Sequence, residues 1–148
     1  MNFSKNSKEK VIKSIFLNWY KKNKRDLPWR KLGRNKLPNP YYVFVSEYML
    51  QQTTVGTVKY RFEEFIIKWP SIEALDKISE STILSFWSGL GYYSRATNLL
   101  KAIKIIKKNF NCKIPNNYED LLSLPGVGEY TAKAIMGIAY NQAVMPLD

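Results

Sequence analysis

The sequence predicts an all-α fold with short connections, on three observations. Apolar residues recur at helical spacing in nearly every segment bounded by Pro or Gly, no stretch shows convincing strand alternation, and no internal repeat or low-complexity tract interrupts the series. At 148 residues the chain is long enough for one domain with a real core.

The first amphipathic helix covers residues 8–23, where Val11, Ile12, Ile15, Phe16, Trp19 and Tyr20 share a face opposite lysines. Arg25, Asp26, Leu27, Pro28, Trp29 and Arg30 follow, and Pro28 stops any helix. Two arginines around a tryptophan suit stacking on a base or binding phosphate. They suit equally a core tryptophan flanked by solvated arginines. Residues 31–40 are polar, contain Gly and Pro, and form the stretch most prone to disorder.

A second helix starts near Tyr41 and runs through VFVSEYMLQQTTV. Within it Glu47 stands alone among Val43, Phe44, Val45, Tyr48, Met49 and Leu50. An acid so placed must find a partner, reach solvent beside its i+4 neighbour Gln51, or keep its proton. Val58, Phe62, Phe65, Ile66 and Trp69 mark a third helix that Pro70 closes. Ser71 and Ser79 are N-caps for two short helices carrying Ile72 and Leu75, then Ile83, Phe86 and Trp87.

Gly89, Leu90, Gly91, Tyr92 and Tyr93 break the periodicity, and such a bend either packs its tyrosines or displays one on a turn. Residues 94–109 form a helix with Leu99, Ala102, Ile103 and Ile106 inward, then Phe110. Lys101, Lys104, Lys107 and Lys108 point out, a charge run of the kind that is usually solvated. Pro115 breaks the chain again and Asn117 caps a short helix through Leu121 and Leu122.

Leu124, Pro125, Gly126, Val127 and Gly128 then make a tight hairpin. Proline fixes one φ there, and the two glycines open backbone angles closed to other residues. The last helix begins near Glu129 and carries Ala132, Ile135, Met136 and Ala139. Backbone N–H groups and a helix's positive end aimed at one point suit a phosphate, although a plain helix–turn–helix corner has the same look.

Composition narrows the chemistry. Lys+Arg 23 against Asp+Glu 12 leaves a net charge of +11, which suits a polyanion partner or simple lysine enrichment. One cysteine, Cys112, and no histidine exclude a disulfide framework, a Cys/His zinc site, and Ser-His-Asp or Cys-His catalysis. Acid–base work must fall to carboxylates, Lys or Tyr. With no signal-peptide pattern and no apolar run long enough to span a membrane, the chain reads as cytoplasmic.

Five stretches, in order, resemble the MutY-type adenine DNA glycosylases of the helix-hairpin-helix (endonuclease III) superfamily. They are LPWR from Leu27, VSEYMLQQTTV from Val45, GLGYYSRA from Gly89, LPGVGEYTA from Leu124 and PLD from Pro146. MLQQT and GLGYY are far more specific than the hairpin, which many DNA-binding proteins share.

The resemblance implies a monomer that binds double-stranded DNA and removes adenine mispaired with 8-oxoguanine or guanine. In the family's pattern Glu47 matches the acid that protonates the leaving base, and Asp148 the second carboxylate beside the sugar. Gln52 and Tyr92 match residues pushed into the base stack, while Arg25, Trp29 and Arg30 fall at the base pocket and nearby backbone. Gly126, Val127 and Gly128 match the phosphate-binding hairpin, within a helix-hairpin-helix over residues 117–140. Tyr130 stands where bifunctional relatives carry a Schiff-base lysine, which implies base removal without efficient strand cleavage. Lys133, one turn on, offers at most weak trapping.

Family members continue with a helical segment holding a four-cysteine 4Fe-4S cluster and a domain that reads the 8-oxoguanine strand. The expectation is therefore an incomplete fold, either the N-terminal portion of a longer enzyme or a truncated gene product, with no metal bound by this chain. Residues 1–24 would belong to the iron–sulfur half, with the Trp19 face left open, and residues 25–148 to the glycosylase core. A thymine-mismatch glycosylase and a catalytically inactive DNA-binding module are the rival readings.

Overall fold

The structure, a computed structural model, describes residues 5–147. Its eight α-helices are α1 (Lys5–Asn23), α2 (Pro40–Leu50), α3 (Val55–Lys68), α4 (Ile72–Asp76), α5 (Glu80–Trp87), α6 (Ser94–Asn109), α7 (Tyr118–Leu122) and α8 (Glu129–Tyr140), with a 3-10 turn over Pro28–Arg30. Among the described residues there is no strand, only one isolated antiparallel bridge between Leu32 and Pro38. No helix among them is long and apolar enough to cross a membrane.

Local chemistry starts several of these helices where the sequence says it should. Ser71, Ser79 and Asn117 accept hydrogen bonds from the amides of Ala74, Thr82 and Asp120, which satisfies donors the first helical turn leaves orphaned. Asn39 does the same for α2, accepting from the Tyr41 amide at 2.9 Å. Pro40 follows at the first helical position, where no N–H is missed.

α2 is the axis of the core. Tyr41, Val43, Phe44, Val45, Ser46, Tyr48 and Met49 are all buried, because the helix is apolar on nearly every side. It packs against α3, α6 and α8, while α4 and α5 lie on α6 and α7 lies on α8. Trp29 is 1% exposed and meets Phe62 edge-on at 5.3 Å. Phe65, Trp69 and Phe86 form a second edge-on cluster, an arrangement that aromatic quadrupoles favour.

Three expectations change. α1 begins at Lys5, one turn before the apolar periodicity does. α2 stops at Leu50 instead of running on through Val55: Gln52 takes a left-handed φ of 57°, and the Thr53 amide turns back to the Leu50 carbonyl at 3.2 Å. The polar stretch after Arg30 is a closed turn. There the Gly33 amide donates to the Leu37 carbonyl at 2.8 Å, and the Lys36 amide to the Gly33 carbonyl at 3.0 Å. The apolar face of α1 is open, with Phe16 67% and Trp19 60% exposed.

Candidate active site and nucleic-acid interface

One cleft of about 740 Å³ gathers Arg25, Trp29, Arg30, Glu47, Gln52 and Tyr130. These six come from the segment after α1, the 3-10 turn, α2, the turn after α2, and the start of α8. Residues scattered along the sequence thus share a wall only because α2 packs on α8 and the 3-10 turn packs on α2. Trp19 and Tyr20, at the end of α1, border the same cleft. The Thr53 hydroxyl in its wall is buried and has no hydrogen-bond partner among the described residues, which leaves a polar group unused by the fold.

Glu47 is 6% exposed, and burial pushes its carboxyl up to about 7, against the opposing pull of the Arg30 charge. Desolvation outweighs the arginine because Arg30 is itself exposed and its field is screened by water. Gln51 does not keep Glu47 company at a wet edge. Its amide donates instead to the Gly126 carbonyl at 3.1 Å. Of the three fates open to Glu47, burial favours the last, keeping its proton toward neutrality.

The hairpin is bolted to the helix that carries this acid. The Tyr48 hydroxyl donates to the Pro125 carbonyl at 2.5 Å, and Gln51 reaches the next carbonyl along. Gly126 has a φ of +81°, and a Cβ there would lie 2.9 Å from the Asn98 Cβ and 3.0 Å from Tyr48. Only glycine fits.

Gly128 differs from the expectation. Its backbone is extended, at φ −93° and ψ −177°, and a Cβ would meet nothing within 4 Å. As the N-cap of α8 it supplies no side-chain cap, so the first-turn amides have no such acceptor. Val127 is buried and its amide already donates to the Leu124 carbonyl at 3.1 Å. Its N–H is therefore engaged within the turn.

Tyr92 is 61% exposed on the bend between α5 and α6, with a φ of 47°. It is displayed rather than packed, and it lies outside the cleft wall. Gln52 and Tyr92 thus share left-handed backbone, which non-glycine residues adopt uncommonly, and Lys36, Asn111, Cys112 and Asn141 share it elsewhere in the chain. Tyr130 is 44% exposed at the first turn of α8. Lys133 sits with its ammonium 5.9 Å from the centre of the Tyr118 ring and is not in the cleft wall. Asp148 lies outside the described residues.

The sequence names Tyr48 and Gln51 only as neighbours of Glu47 and gives Arg95 no role, yet the contacts of these three hold the site together. A buried arginine that bonds only to carbonyls leaves no mark on periodicity or spacing. The residues present do not fit a four-thiolate cluster: Cys112 is the sole cysteine, and no group of three or more metal-ligating side chains occurs among the described residues.

Comparison with known proteins agrees with this geometry. Residues 111–138 match the helix-hairpin-helix motif family. The adenine DNA glycosylase of Buchnera aphidicola subsp. Schizaphis graminum is 45% identical over 132 residues, covering 88% of this chain and 37% of the relative. The mouse adenine DNA glycosylase is 41% identical over 142 residues, covering 93% of this chain and 28% of the relative. Among solved structures, a thermostable thymine-DNA glycosylase superposes with a TM-score of 0.82 at 31% identity, over 99% of this chain and 65% of that one. The chain thus spans between about a quarter and two fifths of the length of these curated relatives. Over most of its length, then, the chain is similar to adenine DNA glycosylases, and it has the all-helical fold of the helix-hairpin-helix glycosylases.

Proposed function

We propose that the chain carries the catalytic acid of a base-excision enzyme acting on double-stranded DNA in the cytoplasm. The enzyme hydrolyses the N-glycosidic bond of adenine mispaired with 8-oxoguanine or guanine. The observation behind this is Glu47, a buried carboxyl held protonated to about pH 7 in the wall of a cleft flanked by arginines.

Adenine is a poor leaving group as an anion. A base inside a duplex is also out of reach, so it must first be extruded, at a cost of about a few kcal/mol. Gln52 and Tyr92, exposed on their turns, take the space it vacates. Glu47 gives its proton to a ring nitrogen of the extruded adenine as the bond to the sugar breaks. The sugar becomes cationic, and Asp148, by the family resemblance, is the second carboxylate that shields or attacks it before water adds. The hairpin's glycines and the uncapped start of α8 hold a backbone phosphate. The enzyme works as a monomer, and residues 1–24 serve the part of the enzyme that carries the cluster.

Tyr130 gives no amine for a Schiff base, and Lys133 is engaged with the Tyr118 ring outside the cleft. Adenine release without strand cleavage is therefore expected. In a single-turnover assay on A:8-oxoguanine duplexes, abasic product should accumulate while nicks form far more slowly. Nicking at the rate of adenine release would contradict the assignment.

The likeness to a thymine-DNA glycosylase structure keeps one rival, which the same assay decides. Excision from A:8-oxoguanine but not T:G supports the adenine reading, and the reverse supports the thymine enzyme. Salt-dependent duplex binding with no base released from either would leave a DNA-binding module without catalysis.

A further inference from the structure

We infer that Arg95 is a positioning residue that locks the two turns carrying Gln52 and Tyr92 into one unit, so that both side chains enter the duplex together. The inference rests on the base-extruding role proposed above.

Arg95 lies in the first turn of α6 and is 5% exposed. Buried arginines usually meet a carboxylate, yet the ion pairs among the described residues are Arg61–Glu64 and Lys107–Asp76. Carbonyl oxygens answer this charge instead, and they come from two separate places. Nη1 donates to the carbonyls of Tyr48 at 3.2 Å, Met49 at 2.7 Å, and Gln51. Nη2 donates to those of Leu90 and Gly91, both at 2.9 Å, and Nε to that of Tyr92 at 3.4 Å. The first set is the C-terminal end of α2, where orphan carbonyls and the negative end of the helix dipole favour a cation. The second set is the bend between α5 and α6.

The register of these bonds carries the argument. The Gln51 carbonyl belongs to the peptide immediately before Gln52, and the Gly91 carbonyl to the peptide immediately before Tyr92. One guanidinium therefore orients the peptide plane that leads into each left-handed residue, at φ 57° and φ 47°. The rings of Trp87 and Tyr92, centred 5.5 Å and 5.8 Å from the guanidinium carbon, keep it from turning. A planar fork can bond in two directions at once. A lysine ammonium, a single point on a flexible stem, cannot hold both sets.

The test uses the full chain as wild type, R95K, Q52A, Y92A and the Q52A/Y92A double variant. Base extrusion is read from the fluorescence of 2-aminopurine placed beside the target adenine, turn rigidity from amide hydrogen exchange, and folding from thermal melts. Folded R95K should extrude about tenfold more slowly than wild type, bind undamaged duplex normally, and lose exchange protection in both turns together. In wild type, the double variant should be no slower than the worse single variant.

R95K extruding at the wild-type rate, exchange rising in only one turn, or multiplying losses in the double variant would each overturn the proposal. If R95K does not fold, the wild-type cycle decides alone, coupled losses supporting the lock and multiplying losses refuting it. A folded wild-type chain that extrudes nothing would sink the base-excision reading itself. The exchange pattern of R95K would then still decide whether one arginine holds both turns.

Discussion

Glu47→Gln should slow adenine release by about 10²–10⁴-fold, the usual loss on removing a positioned general acid, while the chain stays folded. Glutamine matches the shape of the acid and keeps hydrogen-bonding atoms, but it has no proton to give the departing base. Because burial pushes the Glu47 carboxyl up to about 7, wild-type excision should fall as pH rises through neutrality, and a single-turnover pH profile reads this directly. A flat profile across pH 7, or a Gln variant within a few-fold of wild type, would remove Glu47 from the role.

The same substitution should move stability the other way. The folded-state value of Glu47 lies above its ordinary 4.5, at about 7, so the native state binds a proton that the unfolded chain has already released. The stability this lends is complete below about pH 4.5 and is lost as pH climbs through about 7. The gap between 4.5 and about 7 corresponds to about 3 kcal/mol. Above neutrality wild type must hold a buried carboxylate, and Glu47→Gln is relieved of it. The Gln variant should therefore melt higher than wild type at pH 8, with the gap closing toward pH 5. A gap of the opposite sign would mean that the carboxylate, not the acid, is the form the cleft favours.

Gly126→Ala should destabilise the chain by about 2–4 kcal/mol, whereas Gly128→Ala should stay within about 0.5 kcal/mol of wild type. Two effects add at Gly126. An L-residue resists the φ of +81°, and its Cβ meets Asn98 and Tyr48 at 2.9 and 3.0 Å. Tyr48 cannot give way cheaply, because its ring is buried and its hydroxyl holds the Pro125 carbonyl. Strain at the hairpin thus passes into α2 and toward Glu47. Gly128, extended and facing open space, carries neither penalty. Chemical denaturation of the two variants side by side checks the contrast. Equal losses would show that the two glycines are needed for the same reason.

Much of the helical framework was legible because its determinants are local. Residues 94–109 alternate apolar and lysine positions at helical spacing, and the helix occupies that span. Ser71, Ser79 and Asn117 cap through their own side chains, within three residues. The bends at Gly91 and Gly126 are marked by glycine, whose lack of a Cβ is the physical requirement there. The conjunction of LPWR, SEYMLQQ, GLGYY and LPGVGEYT marked the family by resemblance. The cleft around Glu47 then brought Arg25, Trp29, Arg30, Gln52 and Tyr130 to one place.

What was misread depended on partners distant in the chain. The turn after α2 contains neither Gly nor Pro, so nothing local says that the helix must stop at Leu50. Arg95, more than forty residues later, takes the last carbonyls of α2, while Gln52 turns left-handed beside them. Glycine at 128 permits unusual angles, but permission is not use, and its backbone is ordinary.

By itself, then, the order of residues determined where helices begin, which faces are apolar, and where a missing side chain is needed. Periodicity, capping and steric exclusion act within a few residues. Tertiary structure decided which side of α2 meets the hairpin, that Glu47 would be dry enough to keep its proton near neutrality, and that one buried guanidinium would join two turns. Desolvation and carbonyl capture are properties of what surrounds a group, and those surroundings exist only once distant segments have packed.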